Sequence, residues 1–287
     1  MDDLGFALWL ADLADSITVA RFRSRDLVVE TKPDMTPVTE ADRAVERAIR
    51  EAVAAERPSE AVLGEEFGAA GGADGSARWI VDPIDGTKNF VRGVPVWATL
   101  IAFERDGSLE AAVASAPALG RRWWARRGEG AFADGSPARV SRIDRIEDAQ
   151  LCYSNVTAWE EAGLAEPFLA LGRRAWRTRG FGDFWQYALV AEGAAEIAME
   201  PQLSIWDIAA MKLIVEEAGG RFTRLDGDPS LGPGSAVATN GLLHRQVLAA
   251  LGRPESPAQA EGLPADAGGR RDKSSEGTVD TTIEPEP

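Results

Sequence analysis

The chain has 287 residues, of which 45% are apolar and 27% charged, so it can bury a large core. Its net charge of −15 argues against a nucleic-acid surface, which needs clustered lysine and arginine. One cysteine allows no internal disulfide, and one histidine excludes sites built on histidine clusters. Residues 1–25 lack a signal-peptide pattern, and no apolar run is long enough to span a membrane. We therefore expect a cytoplasmic globular protein without nucleic-acid or membrane partners, whose chemistry depends on carboxylates.

Apolar periodicity predicts helices and strands in mixed order. The predicted helices cover residues 2–23, 39–56 (capped by Thr39), 159–171, 182–193, 206–218 and 241–251. The predicted strands cover residues 61–63, 79–81, 98–103, 111–115, several segments of 121–140, 151–154 and 175–178. This order favours a layered α/β or α+β fold in a single domain, residues 1–252. Residues 253–287, rich in proline, glycine and acids, are expected to form a disordered tail.

Two acids follow an apolar strand in the segment 79–87, WIVDPIDGT. The proline between Asp82 and Asp85 stiffens the turn, so both carboxylates and the Ile84 carbonyl could converge on one cation. If a helix begins at Gly86, its free amides point at the same place and could bind phosphate. The segment therefore predicts a metal site beside a phosphate site.

Two further acids also lie at the ends of predicted elements, where open α/β sheets bind their ligands. Glu65 follows an apolar strand, and Asp207 opens a helix. Four carboxylates and one carbonyl suit two Mg²⁺ ions that share Asp82, because hard cations prefer oxygen ligands. The alternative is structural, with Asp85 capping a helix and Asp82 lying in a strand-end turn.

Three motifs occur together and in order: GEE at 64–66, WIVDPIDGTKNF at 79–90 and WDIAAMKLIVEEAGG at 206–220. Together they resemble the inositol monophosphatase family of Mg²⁺-dependent phosphatases, over about residues 4–251. Similarity to the histidinol-phosphatase branch found in actinobacteria rests on four more segments: PVTEADRAVE at 37–46, FVRGVPVWATL at 90–100, RGFGDF at 179–184 and ATNGLLH at 238–244. The resemblance implies an alternating αβαβα layered fold and usually a homodimer.

The resemblance also implies which residues bind metal. Glu65, Asp82 and the Ile84 carbonyl would hold the first ion. Asp82, Asp85 and Asp207 would hold the second. The expected cofactor is Mg²⁺, with two or three ions per active site.

The resemblance further assigns the catalytic and phosphate-binding residues. Glu65 and Thr87 would orient the attacking water, and Asp42 would form a hydrogen bond nearby. The amides of Gly86 and Thr87, next to Asp85, would bind the phosphate. No covalent phosphoenzyme is implied.

Two acids, Asp183 and Glu200, align with the region of the family that contacts the organic half of the substrate, and Arg179 and Asn240 are further candidates for such contacts. Inositol phosphatases resemble the chain at Glu200 but generally have an uncharged residue in place of Asp183. An added carboxylate favours a positively charged substrate such as histidinol phosphate. Alternatively, Asp183 caps a helix or pairs with Arg179, which is then structural too. Asn240 either contacts the polar end of the substrate or caps a helix.

We therefore expect Mg²⁺-dependent hydrolysis of the small metabolite histidinol phosphate, a step of histidine biosynthesis. An inositol-1-phosphate or broad sugar-phosphate phosphatase is the alternative on the same fold. A non-catalytic metal or phosphometabolite sensor is the alternative from another class. Loss of a ligand or of Thr87 would favour the sensor, and none is lost.

Overall fold

A computed structural model describes residues 1–32, 36–72 and 76–253. The helices in these ranges are α1 Asp3–Arg21, α2 Glu40–Glu56, α3 Thr87–Val91, α4 Val156–Glu161, α5 Ala165–Arg174, α6 Asp183–Ala191, α7 Ile205–Glu217 and α8 His244–Ala250. None of these helices combines the length and the apolar character that crossing a membrane requires. The predicted tail and its boundary stay predictions, because residues from 254 onward lie outside the described ranges.

The strands form a small hairpin and two large sheets. The hairpin pairs β1 Val29–Thr31 with β2 Pro37–Thr39. The strands of the first sheet are β3 Ala61–Gly64, β4 Gly68–Gly71, β5 Ala77–Asp85, β6 Ala98–Arg105, β7 Ser108–Ala116, β8 Arg121–Arg126, β9 Gly130–Ala133 and β10 Ser136–Ala138, in the spatial order β10-β9-β8-β7-β6-β5-β3-β4. Those of the second are β11 Gln150–Cys152, β12 Arg177–Arg179, β13 Ile197–Leu203, β14 Arg221–Thr223 and β15 Gly234–Thr239, in the order β12-β11-β13-β15-β14.

Helices and sheets alternate in five layers. Helices α1 and α2 cover one face of the eight-stranded sheet, where Trp79 is fully buried. Helices α6 and α7 lie between the two sheets, with Ile214 in their shared core. Helices α4, α5 and α8 cover the outer face of the five-stranded sheet around Trp159. Each large buried side chain stabilises the fold by about 1.5–3 kcal/mol. The αβαβα sandwich implied by the resemblance is confirmed.

Helix α2 begins where the sequence predicts, because Thr39 and Asp42 form a capping box. The Thr39 hydroxyl accepts hydrogen bonds from the amides of Ala41 (3.1 Å) and Asp42 (3.4 Å). In return, the Asp42 carboxylate accepts the Thr39 amide at 2.8 Å. Such a cap contributes roughly 1 kcal/mol and fixes the Asp42 side chain in the first turn.

Parts of the predicted secondary structure are wrong. The helix predicted over 159–171 is two helices, because Gly163 adopts a left-handed φ of 69° and ends α4. Strand β13 was not predicted, because Pro201, directly after Glu200, has no backbone amide to donate and so indicates the end of a strand. The chain accommodates Pro201 by a register shift against β15 between Glu200 and Leu203. The short strands β1, β2, β4, β14 and β15 were also not predicted.

Candidate active site

A cavity of about 470 Å³ opens where β5, α6 and α7 meet, and most of the predicted site residues line it. They are Glu65, Asp82, Ile84, Asp85, Gly86, Thr87, Asp183, Glu200 and Asp207. The segments that carry them are far apart in sequence and belong to three of the five layers. The fold therefore assembles at one place what the motifs predict separately.

Three carboxylates converge at the end of β5. Asp82 follows the core residue Ile80 by two positions, so it lies on the sheet face that α6 and α7 cover. The pairing of β5 with β6 shifts register between Asp82 and Asp85, which turns both acids toward the cavity. One oxygen each of Asp82, Asp85 and Asp207 lies within 4.8 Å of the others. These three oxygens could ligate one cation.

Burial and crowding disfavour negative charge in this cluster. Burial, followed by repulsion from neighbouring carboxylates, raises the pKa of Asp82 and of Asp85 well above the ordinary range. Burial also raises the pKa of Asp207 to about 7. Among the described residues, Asp82 Oδ1 is buried and accepts no hydrogen bond. A buried oxygen without a partner, surrounded by like charges, fits a hard divalent cation.

Backbone amides hold two of these acids in place. The Ser204 amide donates to Asp207 Oδ2 at 2.7 Å in the capping box that begins α7. The Phe184 amide, in the first turn of α6, donates to Asp85 Oδ2 at 2.5 Å. Both helices therefore orient the carboxylates with their N-terminal amides, which favour negative charge there.

Glu65 lines the cavity but lies outside the three-acid cluster. Its carboxylate accepts a hydrogen bond from Lys32 Nζ at 2.7 Å, and Lys32 also contacts Glu66 at 2.6 Å. Burial alone would lower the pKa of Lys32, but the two carboxylates raise it. The Lys32 ammonium thus supplies positive charge beside a predicted metal ligand. No sequence spacing indicated this contact, because the β1–β2 hairpin brings Lys32 to the site.

Thr87 and Asp42 lie next to each other. Thr87 Oγ1 lies 3.0 Å from the Ile84 carbonyl oxygen and 3.4 Å from Asp42 Oδ1. Asp42 is buried behind Thr87 and does not form part of the cavity wall. Burial raises its pKa to about 6, although its hydrogen bonds from Thr39 act in the opposite direction. Asp42 can therefore fix the direction of the Thr87 hydroxyl.

Helix α3 opens at the cavity through a glycine that no other residue could replace without strain. Gly86 has a φ of 85°, in the left-handed region. A β-carbon there would lie 3.0 Å from the Val96 carbonyl oxygen and 3.3 Å from Asp183 Oδ2. The chain can thus bring the first amides of α3 to the cavity wall, next to Asp85.

Asp183 and Glu200 add two acids beyond the three-acid cluster. Asp183 begins α6 with a φ of 49°, and its Oδ2 accepts a hydrogen bond from Asn89 Nδ2 at 3.0 Å. Burial raises the pKa of Asp183 to about 6, while the charge of Lys88 lowers it. Glu200, on β13, accepts a hydrogen bond from Gln186 Nε2. Burial, and then the charge of Asp183, raises the pKa of Glu200 well above its usual range.

Two predicted substrate contacts, Arg179 and Asn240, do not line the cavity and stay predictions. Arg179 is exposed at the end of the edge strand β12, and its guanidinium donates to the Thr178 carbonyl at 2.7 Å. Asn240 is buried, and its side-chain amide donates to the Ile143 carbonyl at 2.7 Å. Its Oδ1 accepts the Leu243 amide at 3.3 Å, as in a cap.

Tyr187 is a cavity residue that the sequence analysis missed. It is buried beside the Glu200 carboxylate. Burial, and then the charge of Glu200, raises its pKa. One signal could have revealed it, since Tyr187 lies four residues after Asp183 and so on the same face of α6.

Crowded carboxylates that divalent cations can bridge, next to helix amides that can receive an anion, indicate a metal-dependent hydrolase of phosphoric monoesters. The chain belongs to the inositol monophosphatase family, whose sequence profile matches residues 6–255.

Several known proteins are similar over most of their length. The histidinol-phosphatase of Mycobacterium tuberculosis is 56% identical over 255 residues, which cover 87% of this chain and 98% of that protein. The histidinol-phosphatase of Streptomyces coelicolor is 53% identical over 260 residues, covering 88% and 97%. The structure of an IMPase from Thermotoga maritima superposes with a TM-score of 0.79 at 30% identity, covering 88% of this chain and 97% of the other.

Proposed function

We propose that this enzyme hydrolyses L-histidinol phosphate to L-histidinol and phosphate, with Mg²⁺ as its cofactor. The observation that carries the proposal is the pair Asp183 and Glu200 in the cavity wall, in addition to the metal cluster. The organic half of histidinol phosphate carries an ammonium group and an imidazole, which carboxylates bind by charge-assisted hydrogen bonds. The names of the mycobacterial and streptomycete relatives support this substrate.

The donor set suits Mg²⁺ because it consists of oxygen atoms alone. Glu65, Asp82 and the Ile84 carbonyl would hold one ion, and Asp82, Asp85 and Asp207 would hold a second. Bound Mg²⁺ would lower the pKa of water and offset the charge of the phosphoryl group. We propose two or three ions per site.

The protein's own residues would position the reactants. The attacking water would donate hydrogen bonds to the Glu65 carboxylate and to the Thr87 hydroxyl, which Asp42 orients. These two contacts would set its direction. The amides of Gly86 and Thr87 would donate to the phosphoryl oxygens. The only histidine and the only cysteine, His244 and Cys152, are buried away from the cavity wall. Their burial favours direct attack by water over a phosphohistidine or phosphocysteine.

A comparison of four substrates tests the proposal. Phosphate release with Mg²⁺ should be much faster from histidinol phosphate than from inositol phosphate, fructose bisphosphate or phosphoadenosine phosphate. A metal chelator should abolish release from all of them. Equal or faster turnover of inositol phosphate would overturn the assignment.

An inositol-phosphate or broad sugar-phosphate phosphatase is the second candidate. It is supported by Glu200, at which inositol phosphatases resemble the chain, and by the similarity to the Thermotoga maritima IMPase. The four-substrate comparison separates the two candidates. A sensor without activity would bind Mg²⁺ and release no phosphate from any of the four substrates.

We further propose, from the family resemblance and the composition, that the enzyme is a cytoplasmic homodimer without nucleic-acid or membrane partners. The chain has a mass of 30.7 kDa, so sedimentation should give a species of twice that mass. A monomer at micromolar concentration would contradict the dimer. The net charge of −15 predicts no retention on immobilised DNA at physiological salt.

A further inference from the structure

A buried carboxylate on α2 forms hydrogen bonds with the turn that carries Glu65. Glu46, in the middle of α2, is fully buried. Its Oε2 accepts the Glu66 amide at 2.6 Å, and its Oε1 accepts the Phe67 amide at 3.1 Å. These are the two amides that directly follow Glu65 in the chain. The path of the backbone at Glu65 is therefore set by a side chain that does not line the cavity.

Arg50, one helical turn further along α2, completes this arrangement. Its Nε and Nη2 donate to Glu46 Oε1 at 2.8 and 2.6 Å. The same guanidinium also donates to the Gly68 carbonyl, and its Nη1 to the Val62 carbonyl at 3.4 Å. Arg50 therefore neutralises the buried charge of Glu46 and holds the turn at both ends, on β3 and on β4.

Gly64 allows the carboxylate to come this close. A β-carbon at Gly64 would overlap the carboxylate of Glu46. The backbone immediately before Glu65 thus packs against Glu46, and the amides immediately after it bind Glu46. Glu65 is held from both sides while its own side chain reaches the cavity wall.

A need for stability alone does not account for a charged pair at this position, because apolar residues of similar volume often stabilise a fold as well or better. Outer groups that orient metal ligands are a recognised reason for such an arrangement. We infer that Glu46 and Arg50 are positioning residues, which place Glu65 for metal binding. The inference rests on the proposed function, because it takes Glu65 as a ligand of Mg²⁺.

The substitution Glu46→Gln tests the inference. Glutamine has one acceptor oxygen, so its amide nitrogen must face a backbone amide or the Arg50 guanidinium, both of which are donors. We expect the affinity for Mg²⁺, measured by calorimetry on the full chain, to fall roughly 10- to 100-fold. The rise in melting temperature on adding Mg²⁺ should shrink accordingly. Phosphate release at saturating Mg²⁺ should largely recover, because Glu46 contacts no reactant.

Glu196→Gln is the matched control. Glu196 is also buried, and its Oε2 accepts a backbone amide, that of Gln150, at 2.7 Å. It does not line the cavity. This variant should lose stability while its affinity for Mg²⁺ stays within about twofold of the wild type. Equal loss of Mg²⁺ affinity in both variants, or unchanged affinity in Glu46→Gln, would overturn the inference.

Three more variants keep the outcome decisive. If Glu46→Gln does not fold, Arg50→Gln carries the test, and Arg50→Lys, which can keep one contact with Glu46, should restore part of the Mg²⁺ affinity. Glu65→Gln separates this inference from the proposed function. If Glu65→Gln leaves Mg²⁺ affinity unchanged, the proposed ligand set is wrong. If Glu65→Gln weakens Mg²⁺ binding and the Glu46 and Arg50 variants do not, only the positioning role is wrong.

Discussion

The substitution Asp183→Asn should impair the use of histidinol phosphate and spare phosphate esters of neutral alcohols. It removes one negative charge and keeps the shape of the side chain. The amide oxygen of the new residue can still accept the hydrogen bond that Asn89 Nδ2 donates at 3.0 Å. The start of α6 should therefore keep its geometry, and a change in substrate use would report the charge.

The expected effect follows from the state of the carboxylate. Burial raises the pKa of Asp183 to about 6, so the group is mostly ionised at pH 7.5. A hydrogen bond to a charged group is worth about 1.5–3 kcal/mol, and each 1.4 kcal/mol is a factor of ten. We expect kcat/KM for histidinol phosphate to fall by roughly 10- to 150-fold.

The assay compares phosphate release from histidinol phosphate and from glycerol phosphate, whose organic half is uncharged, at saturating Mg²⁺. The matched control is Asp106→Asn, because Asp106 also has a positive φ, of 50°, but lies in the exposed turn between β6 and β7. The control should leave both activities unchanged. If Asp183→Asn reduces both activities equally, Asp183 does not select the substrate.

Three further outcomes are expected. Asp82→Asn should abolish Mg²⁺ binding and, by relieving repulsion, raise the melting temperature of the metal-free protein. Glu200→Gln should keep the affinity for Mg²⁺ and lose activity toward histidinol phosphate. Full Mg²⁺ occupancy in Asp82→Asn would refute the bridging role of Asp82. Gly86→Ala should cost about 1–2 kcal/mol in the free energy of unfolding and weaken competitive inhibition by phosphate, and unchanged values of both would argue against the strained turn. Burial lowers the pKa of His244 to about 3 from 6.5, so the unfolded chain binds the proton first. Protonation of His244 should therefore lower the free energy of unfolding by up to about 5 kcal/mol as the pH drops from about 6.5 toward 3, a component measured as the difference between the wild type and His244→Gln over this range.

Local chemistry accounts for the features that the sequence could predict. The start of α2 depends on Thr39 and Asp42, which are three residues apart, and the acids at the end of β5 lie within four residues. Neither depends on distant parts of the chain. Strand β13 illustrates the opposite case, because its pairing with β15 overrides the break that Pro201 suggests.

The partners of the site residues could not be predicted, because they depend on tertiary contacts between distant segments. The contact of Lys32 with Glu65 spans 33 positions, and that of Glu46 with the Glu66 amide spans 20. Asn240 makes a further contact of this kind, because its side-chain amide donates to the Ile143 carbonyl, 97 positions away. A motif therefore indicates which residues could form a site, whereas the tertiary packing determines what each side chain contacts.

The origin of each acid in the fold explains how substrate choice and metal binding can vary separately. Asp82 and Asp85 belong to the eight-stranded sheet, at one register shift that the pairing with β6 fixes. Glu200 belongs to the five-stranded sheet, and Asp183 begins a helix between the two sheets. A change at Asp183 or Glu200 therefore leaves intact the strand that bears two of the proposed metal ligands, Asp82 and Asp85. If the proposed roles hold, one metal site can serve phosphate esters whose organic halves carry different charges, because different elements carry the two sets of acids.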